Sequence, residues 1–490
     1  MLPAIFIVIG VVLAIIYIRT RPRKNLPPGP KPLPVLGNIR DMPDGTTPEY
    51  QHWIKFKDLY GPISHVSIFE KTSIKTSGRP QFIFGNEIKL VHQQLGTKTA
   101  ASRFRDVQDV ESRRLLLRIL ESPEKLSTHI KTEASAIILK MTYGYNLEPH
   151  KADPLALLIE HMMHNFSLAF VPMSWPVDVL PILRHFPETL PGMSFKRIAR
   201  DWNANMRMVV DVPYHFVRKK MAKQSHRPSY VSSLIKQYDE GLDTESEAAI
   251  KQTAAAMYAG GADTTVSSIR GFVLAMLLFP DVRRKAQQEI DSIVGTDRLP
   301  QFEDRDKSSL RRCLVKETLR WIPVAPMGVA HTADEDIQYK GFVIPKGASF
   351  LPAVWWFLHD PAIYSDPSSF DPDRYLEPRN EPHPNFASFG FGRRVCPGRF
   401  LADDSLFISI SRLLAAFEIK KAVDGRGNGI EPEISITPGM IGHIRDFPYD
   451  IKPRSEKYAD MIRRVELEHP WEEGDAGLLE EELSLYAVNV

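Results

Sequence analysis

The spacing of apolar positions changes at a few points along the chain, and these changes predict its elements. From Thr128 to Leu278 most segments repeat apolar residues every three or four positions, the period of buried helices. From Ala330 to Ala353 the apolar runs are short and separated by two Lys-Gly turns, which indicates strands. The helical period returns from Leu401 to Phe417. We predict a mainly α fold with minor β.

The N-terminal end combines an apolar run with a basic flank. Residues 1–18 carry no charge and RTRPRK follows, which predicts a transmembrane anchor with everything after Arg19 in the cytosol. A signal peptide or a buried core helix is the alternative, although a signal peptide carries its positive charge before the apolar run. The basic, proline-rich residues 19–38 predict a semi-rigid hinge, with an SH3-type ligand as the alternative.

Composition and charge narrow the function classes. Lys+Arg 62 against Asp+Glu 60 gives the 490 residues a net charge of +2, which argues against a nucleic-acid partner. The two cysteines, Cys313 and Cys396, form no zinc or disulfide pattern. We expect one catalytic body, residues 39–458, and an appended acidic tail, residues 459–490, whose last 26 residues hold eight acidic side chains and neither Lys nor Arg.

One cysteine lies in a loop rich in glycine and arginine. Residues 389–398 read Phe-Gly-Phe-Gly-Arg-Arg-Val-Cys-Pro-Gly, and a predicted helix follows. Glycines let the backbone approach a flat ligand, and a helix N-terminus together with nearby arginines favours a thiolate at Cys396. A thiolate of this kind is suited to bind a haem iron, while arginines pair with its propionates. A buried structural cysteine is the alternative.

With this loop the chain resembles the cytochrome P450 haem-thiolate family, whose signature is F-x-x-G-x-R-x-C-x-G. Phe389, Gly392, Arg394, Cys396 and Gly398 match every fixed position. The resemblance implies a P450-like fold that binds haem b, with these five residues forming the cofactor-binding loop. It further implies that Cys396 is the axial ligand of the iron and that Arg394 pairs with a propionate.

A second family pattern concerns charge. Glu317 and Arg320 lie one helical turn apart, and in isolation such a pair is usually a solvated surface bridge. The family carries E-x-x-R here and closes it with an arginine from a later segment, which implies a structural charge network of Glu317, Arg320 and Arg374 behind the haem. His331 falls where the family often places a second propionate partner; a structural histidine is the alternative.

A third pattern interrupts a predicted helix. Residues 259–265 read Ala-Gly-Gly-Ala-Asp-Thr-Thr, and glycine and threonine weaken a helix interior. Threonine also bonds the carbonyl four residues back and bends the helix, so a kinked core helix is one interpretation. The resemblance implies instead the groove in which dioxygen is activated, with Asp263 and Thr264 as the acid–alcohol pair that supplies protons.

The resemblance weakens near the front of the chain. Family members carry W-x-x-x-R on an early helix whose two residues contact the haem propionates, yet no tryptophan lies between Trp53 and Trp175. We therefore predict a gap near residues 69–113, where the second and third helices of the family are missing or shortened.

The resemblance, which is to fungal microsomal members of the family, implies a monooxygenase of the endoplasmic reticulum membrane. It would insert one atom of O2 into an apolar organic substrate, a secondary metabolite or a xenobiotic. No G-x-G-x-x-G motif opens a βαβ unit, so an NADPH-dependent reductase on a separate chain must supply electrons. The candidate substrate-facing positions are Ala256, Ala259, Val324 to Val329 and Pro438 to Ile441. The alternatives are a truncated, non-catalytic remnant that cannot hold haem, and a haem-thiolate isomerase or dehydratase.

Overall fold

The computed structural model describes residues 10, 25–33, 36–67, 88–171, 174–238, 241–307 and 309–487. Apart from Gly10, the predicted anchor lies outside this part, as do much of the hinge and half of the predicted gap. Within it, no single helix is long and apolar enough to cross a membrane. One helix pair, Thr244–Leu278 with Pro280–Val294, meets that test only jointly and is bent by 106°.

The predicted mainly helical architecture is confirmed. The α-helices are α1 Glu49–Tyr60, α2 Ile88–Leu95, α3 Lys98–Ser102, α4 Arg105–Glu121, α5 Leu126–Tyr143, α6 Pro154–Ala169, α7 Pro176–Val179, α8 Ser194–Ala222, α9 Tyr230–Gln237, α10 Thr244–Leu278, α11 Pro280–Val294, α12 Ser309–Trp321, α13 Val354–Phe357, α14 Arg399–Ala416, α15 Glu456–Arg463, α16 Val465–Glu468 and α17 Glu480–Ala487. Short 3-10 helices join them at Ile39–Asp41, Pro123–Lys125, Pro181–His185, Phe302–Asp304, Pro372–Tyr375, Pro384–Phe386, Gly392–Arg394 and Ala476–Leu479.

The sheet content is small, as predicted. The strands are β1 His331–Thr332, β2 Ile337–Tyr339, β3 Phe342–Ile344, β4 Ser349–Phe350, β5 Phe417–Lys420 and β6 Asp450–Pro453. They form antiparallel pairs β1–β4, β2–β3 and β5–β6. Lys340 and Gly341 both have positive φ, 48° and 82°, so the β2–β3 turn has the left-handed geometry that suits a two-residue hairpin.

The long helix α10 passes through the core between two hydrophobic clusters. Its N-terminal half, up to Ala262, packs in one cluster, and its C-terminal half, from Val266, packs in the other. Helix α14 is divided in the same way, with Leu401 in the first cluster and Leu406 in the second. Asp263, Thr264 and Thr265 therefore lie at the seam between the clusters, where polar groups displace the fewest apolar contacts.

The acidic C-terminal segment packs on the helical body. Helix α15 runs through the predicted boundary at residue 458, and Leu479 is fully buried. The Asp475 carboxylate accepts hydrogen bonds from the Asn146 backbone N–H at 2.8 Å and from Arg227 at 2.6 Å. Charge pairing with basic positions on the body thus places this segment, although residues 465–490 contain neither Lys nor Arg.

Candidate active site

The loop that carries Cys396 turns back on itself before α14. The backbone N–H of Cys396 donates to the carbonyl of Phe389 at 2.8 Å and closes the loop. Gly390 and Gly392 have φ of 77° and 56°, in the left-handed region that residues with a Cβ avoid. The two glycines are therefore required by the turn that brings the sulfur to the start of α14.

Two opposing effects act on the Cys396 thiol. Burial raises its pKa above the ordinary value, because a charged sulfur is disfavoured away from water. The backbone N–H groups of Gly398 and Arg399 and the charge of Arg399 act in the other direction. The sequence correctly predicted the stabilising effect of the helix start, but it missed the desolvation, which outweighs it in the free thiol.

The three arginines of this segment have different surroundings. The Arg399 guanidinium donates to the Cys396 carbonyl at 3.0 Å and lies over the Phe400 ring at 4.3 Å. Arg393 and Arg394 are exposed, and so is His331 on β1. Of the three arginines, Arg399 is the one among the described groups that lower the Cys396 pKa.

The predicted irregular stretch of α10 stays helical and presents an accessible face. The Thr264 hydroxyl donates to the Gly260 carbonyl at 2.6 Å, the bond to the fourth preceding residue expected of threonine. A Cβ added to Gly260 would meet no atom within 4 Å. Ala256, Gly260 and Thr264 repeat every four residues and are at least partly accessible, although most of this helix is buried. Together they form one accessible face of α10.

Asp263 has a partner that the sequence did not predict. Its Oδ2 lies 3.1 Å from Nε2 of His443, within ion-pair distance, and this buried oxygen has no hydrogen bond to any described residue. The two residues are 180 positions apart, so no local pattern could indicate the pair. The arrangement places an imidazole beside the acid that the family resemblance assigns to proton supply.

The predicted substrate-facing segments meet beside this pair. The Ser267 hydroxyl donates to the Gly442 carbonyl at 2.7 Å, and the Gly442 N–H donates to the Val324 carbonyl at 2.8 Å. Ala259, Val324 and Ile441 share one hydrophobic cluster, which also includes Leu401 close to the cysteine loop. The groove helix, the segment after α12 and the 438–441 segment are therefore neighbours in space.

The predicted charge network is buried as well as paired. Glu317, Arg320 and Arg374 are all 0% exposed, so the solvated surface bridge is excluded. Arg320 donates to Glu317 through Nε at 2.9 Å and Nη2 at 2.7 Å, and Arg374 donates through Nε at 3.0 Å. The sequence missed two members: Tyr375, which donates to Glu317 at 2.9 Å, and Glu381, which accepts from Arg374 at 2.6 Å.

The predicted front gap is described only in part. Residues 88–113 form α2, α3 and the first half of α4, and the Arg399 guanidinium reaches the Gly96 carbonyl at 3.5 Å after α2. This contact places the short front helices beside the cysteine loop. Within these residues there is no tryptophan, so the paired Trp and Arg of the family are not both present there.

The donor set around Cys396 fits a haem iron. A single thiol lies at the start of a helix, two backbone N–H groups are directed at its sulfur, and an arginine adds positive charge. This is the environment that stabilises an axial thiolate. Gly390 and Gly392 keep side chains off the loop, and beside Gly392 no atom lies within 4 Å of an added Cβ.

Comparison with known proteins identifies relatives along the chain. The Cytochrome P450 family model matches residues 89–440. Over 99% of both chains, the sequence is 50% identical to Cytochrome P450 monooxygenase CLM2 of Gibberella zeae. It is 41% identical to the Multifunctional cytochrome P450 monooxygenase af510 of Aspergillus fumigatus, over 95% of this chain and 96% of the relative. It is 35% identical to the O-methylsterigmatocystin oxidoreductase of Aspergillus flavus, over 93% and 92%.

The alignment with the Gibberella zeae protein is longer than this chain. The match to the Gibberella zeae protein covers 526 positions, whereas this chain has 490 residues. The relative therefore has residues at internal positions where this chain has none. The alignment length does not locate them, and the gap near residues 69–113 stays a prediction.

Proposed function

This chain belongs to the cytochrome P450 family and is a haem-dependent monooxygenase, and we propose that it inserts one oxygen atom from O2 into an apolar secondary metabolite. The observation that carries the proposal is the Cys396 loop, which leads into α14, together with the packing of α14 on α10, the helix whose accessible face presents Thr264. The A. flavus relative, named as an O-methylsterigmatocystin oxidoreductase, supports a secondary metabolite as the substrate class.

The Cys396 sulfur would hold haem b as its axial ligand. When bound, the haem supplies the activation of dioxygen, which no side chain can perform. Gly398 and Arg399 would direct backbone N–H groups at the thiolate, and their donation sets how much electron density it releases. Phe389 and Gly392 would shape the loop, while Arg394 and His331, both exposed, would pair with propionates.

Asp263 and Thr264 would supply the protons that the reaction of dioxygen requires. The Thr264 hydroxyl is held by the Gly260 carbonyl, so its oxygen stays at the accessible face of α10 and can accept a proton from Asp263 through water. Glu317, Arg320 and Arg374 would act structurally by fixing the loops under the cysteine segment. The small or apolar side chains at Ala259, Val324 and Ile441 suit an apolar substrate.

The proposal includes a membrane and an electron donor. The uncharged residues 1–18 with their basic flank support a single-pass anchor in the endoplasmic reticulum, with residues 39–458 as the cytosolic catalytic domain. The sequence carries no dinucleotide-binding glycine motif, so an NADPH-dependent reductase on a separate chain would supply both electrons.

The test is the ferrous–CO difference spectrum of microsomes that contain the full chain. We expect a red-shifted Soret band that disappears in Cys396→Ala, because the thiolate causes the shift. Cys313→Ala is the matched control: Cys313 is the other cysteine, buried at 3% exposure away from the loop, and its variant should keep the band.

Two outcomes would support the alternatives. Folded protein in the membrane without a band would favour the non-catalytic remnant. A band without NADPH-dependent oxygen consumption, in the presence of reductase, would favour an isomerase or dehydratase. Asp263 and Thr264 argue against the latter, since such chemistry needs no proton supply for dioxygen cleavage.

A further inference from the structure

We infer that His443 is a positioning residue that holds the Asp263 carboxylate in the orientation needed to pass protons to Thr264. The inference rests on the proposed function and extends it to a residue outside the family pattern. Its basis is geometric: His443 Nε2 lies 3.1 Å from Asp263 Oδ2, within ion-pair distance, and this buried oxygen has no hydrogen bond to any described residue.

The His443 backbone is fixed by its own loop. The Thr437 N–H donates to the His443 carbonyl at 2.8 Å, and the His443 N–H donates to the Thr437 hydroxyl at 3.1 Å. These bonds close the segment around Gly442 and Ile441. Because the loop is already closed, no backbone freedom has to be lost when the imidazole meets its partner, so the entropic cost of holding the carboxylate is lower than it would be on an open loop.

The loop is attached along one face of α10. Asp263, Ser267 and Arg270 recur at helical spacing and contact three positions of the loop: His443 at 3.1 Å, the Gly442 carbonyl at 2.7 Å and Asp446 at 2.8 Å. Three contacts on one face fix the register between loop and helix. The position of His443 is therefore set by the fold and not by the Asp263 contact alone.

The same loop also borders the substrate side. Ile441, two residues before His443, is buried in the cluster that contains Ala259 and Val324. A substrate that presses on Ile441 would act on His443 through two peptide units. His443 thus connects occupancy of the apolar pocket with the orientation of the acid.

Loss of this orientation has a measurable consequence. When Asp263 and Thr264 deliver protons correctly in the absence of substrate, one O2, two NADPH and two protons yield two water molecules and two NADP+. When protonation is misdirected, O2 and one NADPH, with one proton, yield one hydrogen peroxide. The ratio of peroxide formed to NADPH consumed therefore reports the orientation of Asp263 without any organic substrate.

The experiment uses the full chain with its haem and an NADPH–cytochrome P450 reductase. We expect the peroxide ratio to rise toward one in His443→Ala and to return toward the parent value in His443→Gln, whose amide nitrogen reaches a similar position. His161→Gln, at an exposed position on α6, should leave the ratio unchanged. Asp263→Asn is the reference for loss of the acid itself.

A second readout does not depend on turnover. If the two side chains interact, the fall in apparent Tm of the Asp263→Asn/His443→Ala double variant should be smaller than the sum of the two single falls. Additive falls would overturn the pairing. A raised peroxide ratio in Asp263→Asn but not in His443→Ala would overturn the inference while the proposed function stands. An unchanged ratio in Asp263→Asn would overturn the proposed proton role itself.

Discussion

The chain buries two clusters of charged side chains that differ in how completely their polar atoms are hydrogen-bonded. The Glu317 network comprises Glu317, Arg320, Arg374, Tyr375 and Glu381. The second cluster, here named the Glu133 network, comprises Glu111 and Arg114 and Arg118 on α4 with Glu133 on α5. Both consist of carboxylates and guanidiniums that are at most 9% exposed.

In the Glu317 network, each nitrogen of both arginines has a partner. Arg320 donates to the carbonyls of Leu358 at 3.0 Å and Pro367 at 2.9 Å in addition to Glu317. Arg374 donates to the Ser365 carbonyl at 3.0 Å in addition to its two carboxylates. The desolvation cost of burying the two guanidinium groups is thus offset, because all of their nitrogen atoms donate hydrogen bonds.

In the Glu133 network, several atoms lack a partner among the described residues. Glu133 accepts from Ser409 at 2.6 Å through one oxygen, and its other oxygen has no hydrogen bond. Glu111 accepts from Arg114 at 2.6 Å, while Nε and Nη1 of Arg118 remain without a hydrogen bond. Burial raises the pKa of Glu133 to about 7, because nothing nearby fully compensates its charge.

The difference follows from the backbone around each cluster. The arginines of the Glu317 network face the loop 358–369, whose carbonyls are not used in a helix and can accept. The Glu133 network lies between helices, whose backbone groups already bond within each helix. The carbonyl groups of irregular backbone are therefore more available as hydrogen-bond acceptors for buried arginines than those of packed helices.

Glu317→Gln should give the largest loss in the free energy of unfolding. Neutralising this carboxylate leaves two buried arginines without their shared partner, and we expect a loss of about 3–5 kcal/mol of stability. Glu133→Gln is the matched control: near neutral pH it removes a buried carboxyl whose ionisation is not compensated in the fold, so it should cause no loss of stability and should raise the apparent Tm. The measurements are apparent Tm and haem content per chain. Equal losses in the two variants would contradict the comparison.

The second prediction concerns how the stability contributed by Glu133 depends on pH. The Glu133 pKa of about 7 in the fold exceeds its ordinary 4.5, so between these values the folded protein binds more protons than the unfolded chain. Stability from this group is complete below pH 4.5 and is lost as pH rises through 7, a total of about 3 kcal/mol.

Thermal unfolding of the parent and of Glu133→Gln across this range checks the sign. The apparent Tm of the parent should fall relative to that of the variant as pH rises. Glu111, Arg118 and Arg412 all act on Glu133, the first raising its pKa and the two arginines lowering it. A parent that gains stability relative to the variant would show that the arginines outweigh the burial.

The two networks also show which contacts could be predicted from the sequence and which could not. The family pattern brought Glu317, Arg320 and Arg374 together because each lies in a short motif. Local spacing alone favoured a surface pair, since an i,i+3 pattern does not reveal burial. Glu381 and His443 were missed because no motif surrounds them.

The helical architecture and the strand-rich segment 330–353 could be predicted, because apolar periodicity is a local property. The Glu133 network could not. Its bond to Ser409 joins residues 276 positions apart, on α5 and α14, and only the tertiary fold brings them together. The C-terminal segment was predicted from its charge as an appendage, but its apolar anchors Trp471 and Leu479 pack on the body.

The smallest effect should come from Trp471, which covers the Glu133 network. Its ring lies 4.8 Å from the Arg114 guanidinium and 4.9 Å from that of Arg118, and it borders a cavity of about 20 Å³, room for one water molecule. Trp471→Leu should lower the free energy of unfolding by about 1–2 kcal/mol, because two cation–π contacts are lost. Trp356→Leu is the matched control: among the described residues its cation–π partner is Lys57, and the loss should be about 0.5 kcal/mol.

Trp471→Leu should also change the pH dependence. If the ring keeps water from Glu133, its removal hydrates the carboxyl, and the fall in apparent Tm with rising pH should become shallower than in the parent. The Trp471→Leu/Glu133→Gln double variant provides the control, because it has no carboxyl to hydrate. An unchanged slope in Trp471→Leu would mean that helices α4, α5 and α14 alone exclude water, and that the C-terminal segment has no part in the unsatisfied state of this network.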